Sequence, residues 1–446
     1  MATIHAHPRV TTPVRSASTR DTGIDFVRAL CVAGVVLLHA MMVGVTVADG
    51  QPIFANAADG TAWIAPLSWI LQVMPLFFVI GGFSGLLAYR RHRARGGGAG
   101  GFVAARLHRL VRPAVVTIGA VGVMLTALLV VGVPTDLVDV AGFRYGQPLW
   151  FLGVFLLCQA LLPLLAAAHE RAPLSVIAAL TAAAIAVDMV RAETGIAGIG
   201  FLNLAFVWLA LQQLGFFVAD GTIDRLPVRV RQTAGVAAVV TLIATWVSGT
   251  YSPDLIANIN PPTAALLLVG VAHTSLLSLH RDRLRRFSAR PRVAAITDFV
   301  TRRTMTIYLW HMPVLLAMAG SCAVFALMTD VALPEPGSVG WWLGRPLWLA
   351  VAFAGTALVA VLLARFESVP TPPASHADGR IGAAVLMGLS AIVMLLVLTT
   401  SPLTAALAVA LLLGALHLAC APQAGATGWR SIVRSRSGAV RRASLR

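Results

Sequence analysis

The sequence predicts an all-α membrane protein, a polytopic helix bundle. Of its 446 residues, 58% are hydrophobic and only 12% are charged, and the mean hydropathy is +0.82. Soluble domains carry roughly twice that share of charged residues. The apolar residues also form runs of about 18–25 residues, which is the length that an α-helix needs to cross a bilayer. These observations exclude an ordinary soluble fold.

Twelve apolar runs along the chain are candidate membrane spans. In chain order they cover 26–47, 64–88, 113–133, 149–168, 173–190, 199–219, 232–248, 262–280, 304–328, 341–364, 381–399 and 402–420. The last two follow a linker that begins near residue 366, and a tight turn at 400–402 joins them. The sequence therefore predicts a main membrane domain and, within 366–420, a further pair of membrane helices.

The distribution of arginine predicts the orientation of these spans. All 34 basic residues are arginine, and the formal net charge is +16. With the N-terminus in the cytosol, the inner loops hold nearly all of them, and the outer loops hold only Arg144, Arg191 and Arg345. This asymmetry follows the positive-inside rule and predicts a multi-pass protein of the cytoplasmic membrane with both termini in the cytosol. No nucleic-acid motif accompanies the basic charge, so the expected partner is the lipid bilayer.

Both ends of the chain are expected to be polar cytosolic segments. Residues 1–24 carry three arginines among small polar residues and predict a disordered arm, and residues 421–446 predict an arginine-rich tail. The apolar run after the arm is too long for a secretory signal and lacks a small-residue cleavage site. The four cysteines fall within predicted spans and match no zinc spacing, so we expect neither a disulfide nor a bound metal.

Arg28 and His39 are the first candidate functional residues. They lie eleven positions apart in the first span, which returns a helix to nearly the same face roughly 16 Å further along. Ionisable side chains at such depth are costly and rare, so each is a candidate for function. The pattern suggests a cation that holds an anionic cofactor near the cytosol and a base in the membrane interior. Asp25, three residues before Arg28, could orient the guanidinium through an ion pair.

Four local patterns and a weaker fifth occur in a characteristic order. They are Asp25-x-x-Arg28 followed by His39, the segment Met74–Phe83, Arg106-x-x-Arg109, Tyr308-Leu-x-His311-x-Pro313 and, more weakly, Pro148–Leu152. In this combination the chain resembles the acyltransferase 3 family, integral-membrane enzymes that include bacterial O-antigen and exopolysaccharide acetylases. One departure is that the family serine of the second pattern is Gly81 here, and nearby Ser84 is not an aligned replacement.

The resemblance implies a fold, a reaction and a donor. It covers residues 25–365 and implies a ten-span acyltransferase-type core, outside which the extra helix pair lies. The implied enzyme is a membrane-bound O-acyltransferase that moves an acyl group, expected to be acetyl, from cytosolic acyl-CoA. The implied acceptor is a hydroxyl of an envelope glycan or of a secreted glycosylated metabolite. Acyl-CoA would be a donor substrate, and no permanently bound cofactor is implied.

The side-chain chemistry agrees with roles for the matched residues. A neutral histidine is suited to deprotonate a hydroxyl near pH 7, which makes His39, with Arg28, the expected catalytic group. Arginine binds phosphate through its planar fork. The donor is therefore expected to be held by three arginines on the cytosolic side, Arg28, Arg106 and Arg109.

Each assignment has a simpler alternative. Arg28 could reach the interface only as a topology anchor, and His39 could be an interhelical hydrogen-bond partner. The two later arginines could contact lipid phosphates. Trp310 and His311 are expected to contact the substrate or support the site, but packing alone would also explain them.

A twelve-span secondary transporter is the alternative function, because the number of spans and the charge suit one equally well. Against it, the two halves show no sequence repeat and no paired broken spans of the inverted-repeat kind. The intramembrane charges also cluster in the first span.

Overall fold

Helices dominate the chain in the computed structural model, which describes residues 21–421 apart from 368, 371 and 376. The helices are α1 (Thr22–Met42), α2 (Ile64–Leu71), α3 (Met74–Ala94), α4 (Ala99–Val130), α5 (Thr135–Gly146), α6 (Leu149–Arg171), α7 (Pro173–Thr194), α8 (Asn203–Ala219), α9 (Thr222–Arg225), α10 (Val228–Val247), α11 (Ala265–Ser288), α12 (Pro291–Arg302), α13 (Thr304–Thr329), α14 (Val339–Leu362), α15 (Ala364–Glu367), α16 (Asp378–Val397) and α17 (Pro402–Ala419). A 3-10 helix covers Ala197–Leu202, and two strands, β1 (Val43–Ala48) and β2 (Gln51–Asn56), form an antiparallel hairpin.

Eleven helical segments of the described chain are long and apolar enough to cross a membrane. This confirms the predicted all-α polytopic bundle. The predicted span 262–280 is the one that is not among them, and it corresponds to α11. The second half of α11 carries a dense run of charged residues, Arg281, Asp282, Arg283, Arg285 and Arg286. α11 nevertheless packs inside the bundle against α1, α3 and α10.

α1 begins earlier and ends earlier than the sequence suggests. The Asp21 carboxylate accepts hydrogen bonds from the backbone N–H groups of Gly23 and Ile24 at 3.0 and 3.2 Å. Such a cap satisfies amides that have no partner within the helix. The predicted disorder is therefore wrong for residues 22–24, which are helical. Residues 1–20 and the predicted tail after residue 421 lie outside the described part of the chain.

The hairpin replaces the last turn and a half of the predicted first span. Val43–Ala48 is rich in β-branched residues, which favour strands. Asp49 and Gly50 both have positive φ angles, 50° and 70°, as the tight turn of a two-residue hairpin requires. Val45 consequently pairs with Phe54 across the hairpin.

The second predicted span is broken into α2 and α3. The break lies at Gln72 and Val73, and Pro75 follows in the first turn of α3. The Gln72 amide is buried and donates to the carbonyl of Leu255 at 2.6 Å. This bond ties the break to the loop before α11.

Glycine allows α3 and α8 to pack closely. A Cβ atom on Gly82 would come within 2.0 Å of the carbonyl oxygen of Gln212, and one on Gly215 within 2.0 Å of that of Val79. Small residues permit such backbone contact between membrane helices. The close approach fixes the position of the second motif in the bundle.

Ion pairs define one end of the bundle, called here the arginine-rich end. Arg281 on α11 binds Asp21 at 2.8 Å and also pairs with Asp224, while Arg90 on α3 pairs with Asp220. These contacts gather the start of α1 with the ends of α3, α8 and α11. The hairpin and the junction of α5 with α6 mark the opposite end.

Asp220 joins three helices at the arginine-rich end. Its carboxylate accepts from Arg90 on α3 and from His169 Nε2 on α6, the latter at 2.8 Å. Burial raises the pKa of the Asp220 carboxyl, but the two hydrogen bonds outweigh it and leave that pKa below its usual value. Because the pKa is lowered, the stabilisation is present at neutral pH and is lost only as the pH falls through that value.

Helices α16 and α17 form the predicted additional pair. They pack against each other and against α4 and α6. Ser401 and Thr404 form a reciprocal capping box at the start of α17. The pair is therefore joined to the core along its length.

Candidate active site

His39 lies in the wall of a cavity of about 710 Å³ inside the bundle. Walls come from α1, α3, α5, α6, α13 and α16, and most lining residues are apolar. The polar lining residues are His39, Gln72, Arg144, Gln147, Asn260, Thr304, Tyr308 and Thr399. The cavity is thus a largely apolar chamber that contains an imidazole.

The imidazole of His39 is held in one tautomer. Its Nδ1 lies 2.9 Å from the carbonyl oxygen of Val35, one turn earlier on α1. A carbonyl can only accept, so Nδ1 carries the hydrogen, and in the neutral ring Nε2 then keeps its lone pair. A residue so arranged can take a proton from a hydroxyl group in the cavity.

His311 lies beside His39 instead of lining the cavity. The two rings meet edge to face with centroids 4.9 Å apart. His311 is fully buried on α13, its Nδ1 donates to the carbonyl of Tyr308 at 2.5 Å, and its Nε2 has no partner. The structure thus brings together two predicted site residues that are far apart in sequence.

Arg28 is fixed by contacts on both α1 and α3. Its guanidinium donates to Asp25 at 3.1 Å, which is the ion pair that the spacing suggested, and also to the hydroxyl of Ser84. Gly81, where the family has serine, lies one turn before Ser84. A Cβ atom at Gly81 would meet the Phe155 ring at 3.3 Å. The hydroxyl that contacts Arg28 in this chain therefore comes from Ser84.

Arg106 and Arg109 line a second pocket, called here the basic pocket, at the arginine-rich end. It has a volume of about 300 Å³ and is also lined by Arg95, Arg112, His92 and His108. The Arg106 guanidinium lies 4.9 Å from the ring centroid of Phe102. Arg28 does not line this pocket, although it is one of the charged neighbours of Arg106.

The first turn of α13 separates the basic pocket from the cavity. The Glu367 carboxylate accepts from the backbone N–H groups of Met305 and Thr306 at 3.3 and 3.2 Å, and from the Thr306 hydroxyl at 2.7 Å. Glu367 lines the basic pocket, whereas Thr304 and Met305 line the cavity. The two spaces share no lining residue. Sequence reasoning missed Glu367, whose one signal was an acidic residue just after the tenth predicted span.

The fourth and fifth motifs meet in the cavity wall. The Tyr308 hydroxyl donates to the carbonyl of Pro148 at 2.5 Å, and its ring lies 4.8 Å from that of Phe151. Trp150 also lines the cavity. Trp310, by contrast, packs half-buried against the hydrophobic core and does not line the cavity.

A family model described as an acyltransferase domain matches residues 21–365. The chain belongs to the acyltransferase 3 family. The match confirms the resemblance and favours a membrane acyltransferase over a transporter. Comparison with curated proteins and with solved structures gives no match. The matched region of this acyltransferase contains both pockets' arginines and histidines, and it ends before α16 and α17. Among the described residues, no group of three or more His, Cys, Asp or Glu could hold a metal ion.

Proposed function

We propose that this acyltransferase moves an acetyl group from cytosolic acetyl-CoA to a hydroxyl of a glycan or of a glycosylated metabolite. The observation that carries the proposal is the pair of neighbouring spaces. A pocket of arginines lies on one side of the first turn of α13, and a cavity that contains a tautomer-fixed imidazole lies on the other.

The basic pocket suits the phosphates of the donor. Coenzyme A carries several phosphate charges, and arginine forks bind phosphate through paired hydrogen bonds. Arg106 and Arg109 are the predicted contacts. Arg28 adds positive charge close to Arg106, and its bonds to Asp25 and Ser84 hold α1 against α3.

His39 acts as the general base in the proposed reaction. Its Nε2 takes the proton of the acceptor hydroxyl while the hydroxyl oxygen attacks the thioester carbonyl carbon. The carbon–sulfur bond then breaks, the acetyl group stays on the acceptor oxygen, and the coenzyme A thiolate takes the proton back from the imidazolium. The edge contact of His311 holds the His39 ring in place.

Transfer of label from radioactive acetyl-CoA tests the reaction. Membrane vesicles with the arginine-rich end outward are mixed with the donor, and labelled products are compared between the wild type and His39→Asn. We expect label in acceptor products of the wild type alone. Donor binding without transfer by the wild type, or movement of a solute instead, would contradict the proposal.

The proposed orientation places the arginine-rich end in the cytosol. Gly98, in the turn between α3 and α4, and Asp254, in the loop before α11, lie at opposite ends of the bundle. Topology reporters fused after each residue should therefore report opposite sides, with the Gly98 fusion in the cytosol. Reporters on the same side would refute this arrangement.

A further inference from the structure

Part of the cavity wall comes from outside the family domain. The end of α16 and the turn after it contribute five lining residues, Val393, Leu395, Leu396, Val397 and Thr399. The family match stops at residue 365. The space that contains His39 is therefore completed by α16 and the turn after it, outside the family domain.

This wall is held firmly against the core. A Cβ atom on Gly142 of α5 would lie 1.8 Å from the carbonyl oxygen of Thr400, and one on Gly146 would lie 3.0 Å from the Thr400 hydroxyl. Further along α16, a Cβ on Gly153 of α6 would come 3.3 Å from Ile392. Such close approach leaves the turn little freedom, so it defines the shape of the cavity.

The cavity has an apolar body and a polar end. Its polar groups at the opposite end of the bundle are Arg144, Gln147, Asn260 and Thr399. Arg144 is the one lining residue, among those described, with a permanent charge. Between this end and His39 the walls are mainly Val, Leu, Met and Phe. The hydroxyl groups of a freely water-soluble sugar would find few hydrogen-bond partners on these walls. Burial of an apolar group there is favourable.

Part of the cavity lining reaches the surface of the bundle. Three apolar lining residues are largely exposed at the bundle surface: Phe143 at 48%, Phe201 at 49% and Val397 at 71%. They belong to α5, the 3-10 helix and α16. The cavity is therefore accessible from the bundle surface near its polar end, where Arg144 and Thr399 lie.

We propose that α16 and its turn select an amphipathic acceptor: an alcohol whose apolar body lies against Val393–Val397 and whose anionic group meets Arg144. This inference rests on the proposed function and narrows its acceptor. An acyl chain of the donor is the other apolar candidate for the space. It would make no use of the arginine and amides at the polar end, so the lining favours the acceptor.

The partition of labelled products tests the acceptor class. Membranes of cells that produce the protein are incubated with radioactive acetyl-CoA, and the products are divided between butanol and water. We expect the label in butanol-soluble products that an anion-exchange resin retains. Label in water-soluble products alone would overturn the inference and leave the proposed function standing. No transfer by the wild type would overturn both.

Variants of α16 test the wall itself. Val397→Trp places a bulky ring at the exposed edge of the cavity, and we expect at least a tenfold fall in transfer with unchanged binding of coenzyme A. Leu386→Trp is the matched control, because Leu386 lies on the same helix, is exposed and does not line the cavity. If Val397→Trp fails to accumulate, Leu396→Ala replaces it, and we expect a changed ratio of labelled products. Equal transfer in these variants and the control would refute the role of α16.

Arg144→Gln tests the anionic group separately. We expect less label in products that the anion-exchange resin retains, relative to neutral products. An unchanged ratio would remove the anionic group from the proposal.

Discussion

The basic pocket and the cavity lie on either side of one helical turn, yet their walls have little in common. Arginines line the first, and part of their charge is exposed to solvent. Aliphatic and aromatic side chains line the second, around one imidazole. In the first space, an anionic ligand is attracted by the charge of the arginines, and salt screens that attraction. In the second, water is scarce, and a fixed lone pair can act on a hydroxyl group. In the proposed function, this difference corresponds to a division between holding the donor and carrying out the transfer.

The largest expected effect concerns the imidazole of the cavity. His39→Asn keeps the size of the side chain but removes the base, so turnover should fall by roughly 10²–10⁴. Binding of coenzyme A should not change, because His39 does not line the basic pocket. Turnover and equilibrium binding are measured on the same membranes. His280→Asn, at a half-buried histidine outside both spaces, serves as the control. An equal loss of coenzyme A binding and of turnover would contradict the assignment of binding and transfer to separate spaces.

The second effect concerns the arginines of the basic pocket. Replacement of Arg106 and Arg109 together by Gln should raise the KM for acetyl-CoA by roughly tenfold or more, because charge-assisted hydrogen bonds are lost. The turnover number should change little. The wild-type KM should also rise with salt, and that dependence should be weaker in the variant.

Arg286→Gln removes one charge from the same end of the molecule outside the pocket. It should keep the wild-type KM. If Arg286→Gln raises the KM as the double variant does, Arg106 and Arg109 act through the overall positive potential of the arginine-rich end and not through contacts with the donor.

A smaller effect is expected at the first turn of α13, which separates the two spaces. Glu367→Gln weakens the cap on α13, and loss of such a cap costs about 1 kcal/mol. We expect hydrolysis of acetyl-CoA without acceptor to rise severalfold, and the KM for acetyl-CoA to fall, because the variant removes a negative charge from the basic pocket. Release of free thiol is the readout. Glu335→Gln, at an exposed acid near the opposite end, should have no effect; a rise in both variants would show that the cap does not matter.

The smallest expected effect is at Ser84. Ser84→Ala removes one of the partners of Arg28, and a single hydrogen bond contributes about 0.5–1.5 kcal/mol. We expect roughly a threefold loss of transfer. Ser84→Thr retains the hydroxyl and should preserve more activity than the alanine variant. The reverse order would assign Ser84 to packing alone.

The sequence was sufficient for those features that depend on local composition. Long, uniformly apolar runs predict the bundle, and helical periodicity places Arg28 and His39 on one helix. The prediction of helix from apolar runs was wrong at residues 43–47, where β-branched residues and the turn at Asp49 and Gly50 favour a hairpin. The second predicted span does correspond to one membrane-crossing segment, Ile64–Ala94. Its interruption between α2 and α3 could not be seen in the sequence, because a buried hydrogen bond from Gln72 decides the break.

The contacts of the site depend on how helices pack. The edge contact between His39 and His311, the bond from Arg28 to Ser84 and the cap from Glu367 each join segments that are distant in sequence. No spacing rule predicts them, because each depends on the rotation of two helices about their axes. The close contact of α3 with α8 at Gly82 shows how one small residue determines such a rotation.

The turn of α13 under Glu367 also affects how far water can penetrate the bundle. If the basic pocket and the cavity were continuous, water could pass from the first into the second. The turn divides them, and the spaces share no lining residue. Glu367, which caps the turn, thereby helps to keep the water of the basic pocket apart from the apolar cavity. In the proposed function, the thioester of a donor held in the basic pocket has to extend past this turn to reach His39.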